Sequence, residues 1–354
     1  MTRMPRLVIG VVVVAIVTIQ TSLRAADPID RLRSHMEQAM NGARGRMGVA
    51  IKHLESGTEI AINADEKFPM ASAFKLPVLV GLYDKARKGQ LQWDEMVDIG
   101  VRDQHLGSGD LSYLYDLPGA KLSMHNVANL MMMVSDNSAA DICLTKAGVE
   151  NVNALMKSLG VTDLHVDRPT QELILDYQQR DTAALKGLTL PEIQKAAAAG
   201  PRDVNAVEAR FARDDKFAAD LKDQATPRAF EKLLERIWRG EAVDRESSRA
   251  ILETMKRCRT GAARIKGLLP ANTVVAHKTG TIAGVVDDVG IVYLPDTAGH
   301  VAIAVMSKQT RATEAEVERA IAEVARYAYD YFTFAAATPK SETKNPEPDE
   351  WLKR

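Results

Sequence analysis

The sequence predicts an α/β (α+β) fold: a five-stranded antiparallel sheet flanked by helices, with an all-helical lobe inserted in the chain. Residues 47–62 alternate apolar and polar around a Ser56-Gly57 turn, which is typical of two hairpin strands. Three further strand-like runs lie within residues 273–307, and a helical pattern occupies the long stretch between the two groups. Strands from both ends of a chain most simply complete one sheet, which leaves the helices between them as a separate lobe.

Each element is predicted from its hydrophobic period and its end signals. Helical segments carry apolar residues at three- and four-residue spacing, Ser123 provides an N-cap, and Gly200-Pro201 breaks one segment in two. The predicted helices are 30–43, 73–88, 123–135, 138–147, 149–159, two within 190–222, 225–239, 245–255 and 313–332, the predicted strands are 47–54, 59–62, 273–279, 287–293 and 300–307, and 167–180 is predicted as a structured loop.

These elements predict an α/β lobe from residues 27–66 and 264–335 and a helical lobe from 67–263. The helical lobe carries an extra helical insertion at about 187–223. Residues 336–354 are polar and contain prolines, so we expect a disordered tail.

The first 26 residues have the layout of a secretory signal peptide. A basic start (Arg3, Arg6) is followed by an apolar run from Leu7 to about Val17 and by the small pair Ala25-Ala26. The run is shorter than the roughly 20 residues that span a bilayer. We therefore expect a cleaved signal, a secreted or periplasmic protein, and no membrane contact in the mature form.

Composition excludes several classes of function. The chain is 46% hydrophobic and 26% charged, its net charge is −1, and it has no basic stripe, so nucleic-acid binding is not expected. The histidines are scattered and the two cysteines lack metal-site spacing, so we expect neither a metal nor another cofactor. Cys143 and Cys258 are expected to be free and buried, and nothing in the sequence requires more than a monomer.

The segment "FPMASAFKLPVLVGL" contains Ser72 and Lys75 in a largely apolar helical stretch. Residues three apart share one face of a helix, so the amine can reach the hydroxyl. A buried lysine with a lowered pKa can act as the base that activates a serine nucleophile. The spacing alone is weak, because it recurs in the tail as Ser341-Glu-Thr-Lys344.

Two further motifs could contribute to the same chemistry. Ser135-Asp136-Asn137 ends an apolar helix, and His277-Lys278-Thr279-Gly280-Thr281 lies on a predicted strand. Taken singly, the first fits a helix-capping turn and the second an edge strand that carries a lysine for solubility.

In this order, however, the three motifs resemble the SxxK, SDN and KTG set of the class A β-lactamases and penicillin-binding proteins. The resemblance to class A β-lactamases extends over residues 30–332 and includes "MMMVSDNSAADICL" and the "LGSGDL" turn at 106–111. It implies a secreted serine hydrolase that opens β-lactam rings and confers antibiotic resistance.

The resemblance also implies a catalytic set. Ser72 would attack the lactam carbonyl and form an acyl-enzyme, with Lys75 helping to remove its proton. Ser135 would relay a proton to the departing nitrogen. The backbone N–H groups of Ser72 and Thr281 would form the oxyanion hole.

A second set would bind the substrate. Lys278, Thr279 and Thr281 would face the substrate carboxylate. Asn137 would hydrogen-bond the amide of the substrate's side chain. Members of the family also place an arginine near this carboxylate, and here Arg264, before the KTG strand, is the candidate because the strand after it has no arginine.

The region that should supply the deacylation base departs from the family pattern. It reads "DRPTQELILD" over residues 167–176, where the family has a pattern like R-x-E-x-x-L-N. Matching Arg168 without gaps puts Thr170 at the position of the glutamate. Allowing two extra residues puts Glu172 there, and Glu172 is the base that we predict.

This departure leaves alternatives to a class A β-lactamase. Without a base the acyl group would persist, as expected of a D-alanyl-D-alanine carboxypeptidase or a penicillin-binding serine hydrolase with slow deacylation. A catalytically inactive penicillin-binding sensor is a third reading. The intact serine, lysine and KTG elements favour an active enzyme.

Overall fold

The computed structural model describes residues 27–114, 119–198 and 206–337. The predicted signal peptide and residues 338–354 of the predicted tail lie outside them. The strands are β1 (Arg46–His53), β2 (Glu59–Ile62), β3 (Phe68–Pro69), β4 (Met96–Ile99), β5 (Ala120–Ser123), β6 (Gln224–Ala225), β7 (Val275–Ile282), β8 (Val285–Tyr293) and β9 (His300–Lys308). The helices are α1 (Pro28–Met40), α2 (Lys75–Arg87), α3 (Met124–Met133), α4 (Asn137–Ala147), α5 (Val149–Ser158), α6 (Thr170–Tyr177), α7 (Thr182–Leu185), α8 (Leu190–Ala198), α9 (Ala206–Ala219), α10 (Pro227–Trp238), α11 (Arg245–Lys256) and α12 (Glu314–Ala337).

Five strands form one antiparallel sheet in the order β2-β1-β9-β8-β7, which confirms the predicted fold class. The strands from the start of the chain pair with those from its end, as when Ala50 lies opposite Ala304. The remaining strands form two small ladders, β3 with β6 and β4 with β5.

The central strands are buried on both faces because helices cover both sides of the sheet. Along β9, Val301, Ile303 and Val305 point into a core shared with α1 and α12. The alternate residues Ala302 and Ala304 point into the core of the helical block. A nearly unbroken apolar strand therefore predicts this two-sided burial.

Helix α2 lies in the middle of the helical block, and its residues from Lys75 to Asp84 are all buried. It packs against α3, α4, α5 and α11. This position removes water from the Lys75 amine and determines the chemistry of that lysine. No helix among the described residues is long and apolar enough to span a bilayer.

Residues 167–180 differ from the predicted loop because they include the eight-residue helix α6. The inserted helices α8 and α9 follow it, and the chain returns through Asp223 to hold the start of this segment. Buried Arg168 donates through Nε to Asp223 at 2.7 Å and pairs through Nη1 with Asp220 at 2.9 Å and with Asp176. Asp223 also accepts from the Asp167 N–H at 2.8 Å.

Arg168→Met should lower the free energy of unfolding by about 3 kcal/mol, because removing one partner of a buried ion pair leaves charge uncompensated. Urea denaturation measures this. The matched control is Arg228→Met, whose partner Asp65 is exposed and which should cost at most about 1 kcal/mol. Equal losses in the two variants would contradict the role of Arg168 and its buried partner Asp223 in holding the start of this segment.

Candidate active site

A cavity of about 600 Å³ lies between the β7 edge of the sheet and the helical block. It brings together six of the residues predicted for the site from three separate parts of the sequence. They are Ser72, Ser135, Asn137, Arg264, Thr279 and Thr281. Lys75 and Lys278 are fully buried behind this wall, where both contact Ser135.

Ser72 lies in a 3₁₀ turn, Ala71–Phe74, that leads directly into α2. Ala71 has a φ of 42°, a left-handed conformation that costs a non-glycine residue free energy and is held here by the surrounding packing. The Ser72 hydroxyl has no hydrogen-bond partner within the described ranges and lines the cavity. It is therefore available to an incoming electrophile.

Gly280 explains how close β7 comes to this turn. A Cβ at Gly280 would lie 2.4 Å from the Met70 carbonyl oxygen and 3.2 Å from the Ala73 nitrogen. Only glycine permits this approach. The next residue, Thr281, is thereby placed beside the Ser72 turn, as the predicted oxyanion hole requires.

The Lys75 amine is held by the SDN turn rather than by Ser72. Its Nζ lies 2.7 Å from the Ser135 carbonyl oxygen, 2.7 Å from Asn137 Oδ1 and 3.2 Å from the Ser135 hydroxyl. Burial lowers the pKa of Lys75 well below its ordinary value, and the charge of Lys278 lowers it further. An amine whose pKa is lowered in this way loses its proton more readily than an ordinary lysine and can act as a base.

Ser135 bridges the two lysines. Lys278 donates to the Ser135 hydroxyl at 3.0 Å and to the Thr279 carbonyl at 2.9 Å. Burial lowers the pKa of Lys278 to about 8, so it is still mostly charged at neutral pH. Ser135 has a φ of 58°, a second left-handed residue at the cavity wall.

The other two residues of the SDN motif hold the turn in place. Asp136 caps α4 by accepting from the Ala139 N–H at 2.8 Å and accepts from the Leu111 N–H at 2.8 Å. Asn137 donates to the Leu106 carbonyl at 2.7 Å while its oxygen accepts from Lys75. The amide of Asn137 thus lines the cavity with one fixed orientation.

Arg264 lies at the cavity wall but is heavily engaged. Its guanidinium donates to the Gly280 and Asp287 carbonyls at 3.0 and 2.9 Å and to the Thr281 hydroxyl at 2.7 Å. Glu314 and Glu318 of α12 pair with it at 3.1 and 3.0 Å and also line the cavity. Their spacing of four residues put them on one helix face, but nothing in the sequence connected that face to the site.

Helix α6 contributes one face to the cavity: Thr170, Leu173, Ile174 and Tyr177. These positions follow the helical period, so Glu172, about 200° around the helix from Thr170, points the other way. The Glu172 carboxylate lies 3.2 Å from Lys186 Nζ. The structure does not bring Glu172 to the cleft with the other predicted residues, because the gapless match, Thr170, takes the inward position.

Thr170 is held by Asp141, a residue that the sequence reasoning missed. The Thr170 hydroxyl and N–H donate to one oxygen of this buried carboxylate at 2.7 and 2.6 Å, and His105 contacts the other oxygen. Asp141 lies one helical turn after Asn137 on α4, which was the only signal that could have placed it near the site. Cys143, on the same helix, and Cys258 are both free and buried, as predicted.

Comparison with known proteins agrees with this geometry. The sequence model of the β-lactamase enzyme family matches residues 31–332, and the chain belongs to that family, as its motifs predicted. It is similar to the β-lactamase VEB-1 of Pseudomonas aeruginosa (25% identity, 86% of this chain and 91% of the relative). It is also similar to the extended-spectrum β-lactamase PER-1 of Pseudomonas aeruginosa (26% identity, 91% and 96%). The crystal structure of a β-lactamase from Chitinophaga pinensis aligns with a TM-score of 0.68 at 28% identity, over 85% of this chain and 99% of that one.

Proposed function

We propose that this protein is a serine β-lactamase of class A type that hydrolyses the β-lactam amide through an acyl-enzyme on Ser72. The observation that carries the proposal is the pair of buried lysines joined by Ser135 beside the Ser72 hydroxyl, which has no hydrogen-bond partner among the described residues. Membership of the β-lactamase family supports hydrolysis of β-lactams as the overall reaction.

Acylation follows from the positions of these groups. Neutral Lys75 takes the proton of Ser72, directly or through a water, as the serine oxygen attacks the lactam carbonyl. The N–H groups of Ser72 and Thr281 stabilise the oxyanion. The proton then passes through the Ser135 hydroxyl, 3.2 Å from Lys75 Nζ, to the departing lactam nitrogen, and Lys75 becomes neutral again.

Substrate binding is assigned to strand β7 and to Asn137 of the SDN turn. Charged Lys278 provides a positive field for the substrate carboxylate, with hydroxyls from Thr279 and Thr281, while Asn137 meets the side-chain amide. Arg264 acts through Thr281, because its guanidinium is already bound to Thr281, two carbonyls and two carboxylates. We place the mature protein outside the cytoplasm as a monomer.

Deacylation is the step for which the cleft is least equipped. The face of α6 offers a threonine hydroxyl where a carboxylate is expected, and Glu172 is bound to Lys186 on the other side of the helix. We therefore assign Lys75 as the base for the attacking water as well as for Ser72. A base shared by both steps, with no carboxylate from α6 holding the water, makes deacylation the slower step.

Mass spectrometry of the mature protein mixed with benzylpenicillin, together with nitrocefin turnover, tests the proposal. We expect an adduct of the intact penicillin mass that forms and then disappears with repeated turnover. Ser72→Ala should form no adduct, whereas Lys75→Ala should acylate about 10²- to 10⁴-fold more slowly, the usual contribution of a general base. An adduct on the Ser72→Ala protein would refute the scheme.

The second candidate is a D-alanyl-D-alanine carboxypeptidase or penicillin-binding hydrolase, favoured by the threonine at the inward position of α6. A stable adduct without turnover, combined with release of D-alanine from an acyl-D-Ala-D-Ala peptide, would establish it. A stable adduct without peptidase activity would instead indicate a penicillin sensor.

Glu172→Gln provides a separate test of the deacylation base. From its contact with Lys186 we expect the deacylation rate to stay within about threefold of the wild-type rate, since a group outside the cleft contributes little to general-base catalysis. Lys186→Met is the matched control, because it removes the same ion pair from its other end. A drop of about 10²-fold or more in Glu172→Gln alone would make Glu172 the base, as the sequence predicts.

A further inference from the structure

Three side chains on one face of β7 each contact the segment 258–264 beside it. Thr281 accepts from Arg264, and the Thr279 and Thr260 hydroxyl oxygens lie 2.6 Å apart. At the third position His277 interacts with Cys258, a thiol that the proposed mechanism does not use. The Cys258 sulfur lies 3.3 Å from the Thr260 hydroxyl oxygen. A continuous chain of hydrogen-bonding groups therefore runs from Cys258 through Thr260 to Thr279 at the cavity wall.

The far end of this chain is a buried Cys-His-Asp cluster. His277 and Asp288 are fully buried, and His277 Nδ1 lies 2.8 Å from Asp288 Oδ1. Since Asp288 holds Nδ1, Nε2 is the ring atom left for an electrostatic interaction with Cys258, and within the described residues it makes no hydrogen bond. Although burial opposes it, His277 lowers the pKa of Cys258 to about 6. Burial would lower the pKa of His277, but Asp288 raises it to about 9.

The direction of the hydroxyl chain depends on how many protons the sulfur carries. Each threonine hydroxyl has one proton to donate, and a thiolate has none. With a thiolate, Thr260 must donate to the sulfur, so Thr279 donates to Thr260 and turns only lone pairs toward the cavity. With a protonated thiol beside a protonated His277, the S–H donates to Thr260, Thr260 donates to Thr279, and the Thr279 proton is free to bind a carboxylate.

We propose that Cys258 is a positioning residue that sets the direction of the Thr260–Thr279 hydroxyl pair, and that a carboxylate substrate binds with uptake of one proton at the sulfur. The inference rests on the proposed function, in which Thr279 faces the substrate carboxylate. The proton comes from solvent, and no other bond is made or broken.

The sign of the effect follows from the ionisation of the sulfur. Carboxylate binding favours the protonated thiol, so affinity is highest below about pH 6 and falls as the pH rises through that value. Full coupling gives about a tenfold weakening between pH 5 and pH 7. The loss of carboxylate affinity between pH 5 and pH 7 is limited to about threefold to tenfold, because with a thiolate Thr279 can still donate to the carboxylate if it gives up its hydrogen bond with Thr260.

Other charged groups face this chain and must be separated from it. The charged groups near the sulfur are His277 and Lys278 of β7 and Asp288 of β8. Those near Thr279 are Lys278 of β7, Arg264 of the segment after α11, and Glu314 and Glu318 of α12. Lys278, whose pKa is about 8, also couples to carboxylate binding, but chiefly near and above pH 8. All six remain in place when only the sulfur is changed.

Calorimetry of benzylpenicillin binding to the Ser72→Ala protein at about pH 7, in two buffers of different ionisation enthalpy, measures the proton uptake. We expect an uptake of up to about one proton, and much less in Ser72→Ala/Cys258→Ser, since a serine hydroxyl donates to Thr260 without ionising and leaves only the coupling through Lys278. Ser72→Ala/Cys143→Ser is the matched control, because Cys143 is also buried but burial raises its pKa, and it should retain the uptake. The methyl ester of benzylpenicillin should show no uptake.

Uptake that is undiminished in the Cys258→Ser background, or that the ester shows equally, would overturn the inference. If Cys258→Ser does not fold, thiolate absorbance of the Ser72→Ala protein decides instead: it should fall at neutral pH when benzylpenicillin binds and stay constant with the ester. A constant absorbance with both ligands would also overturn the inference. Failure of the proposed function looks different, because the wild-type protein would then form no penicillin adduct at all.

Discussion

The structure of the site depends on the desolvation of Lys75. Lys75 begins a helix that is buried from Lys75 to Asp84, and its amine meets a second buried lysine, Lys278, through one serine, Ser135. Two ammonium groups this close in a dry site cannot both hold their protons at ordinary pKa values, and burial together with the charge of Lys278 lowers the pKa of Lys75 well below its ordinary value. In the proposed mechanism, the same burial that stabilises the helical block makes Lys75 a base, and its proton leaves through Ser135.

Most of the fold could be predicted from the hydrophobic period. Strand β2 matches its predicted bounds, and the strands before and after the helical block pair as the antiparallel sheet required. The proposed nucleophile Ser72, the SDN turn and the KTG strand could be located from their motifs, since each element has a strong local signal. The close approach of β7 to the Ser72 turn also follows locally, from the glycine of the KTG motif.

The remaining parts of the site depend on which way a short helix faces. Residues 167–180 carry charges and a proline, which hid the period of α6, and a two-residue shift of register decides whether Thr170 or Glu172 meets the cleft. Arg168 fixes that register through Asp223, which is distant in sequence and follows the inserted helices. Arg264, Glu314 and Cys258 likewise obtain their roles from partners on other elements, and single-sequence patterns do not report such contacts.

The most direct test of the account is the pKa of Lys75, measured by NMR on protein with labelled lysine side chains and assigned with Lys75→Met. An exposed lysine titrates at about 10.4. We predict that the Lys75 amine titrates with a midpoint well below that value, and that this midpoint rises when Lys278→Met removes the neighbouring charge. A Lys75 amine that titrates near the ordinary lysine value, unchanged by Lys278→Met, would contradict it.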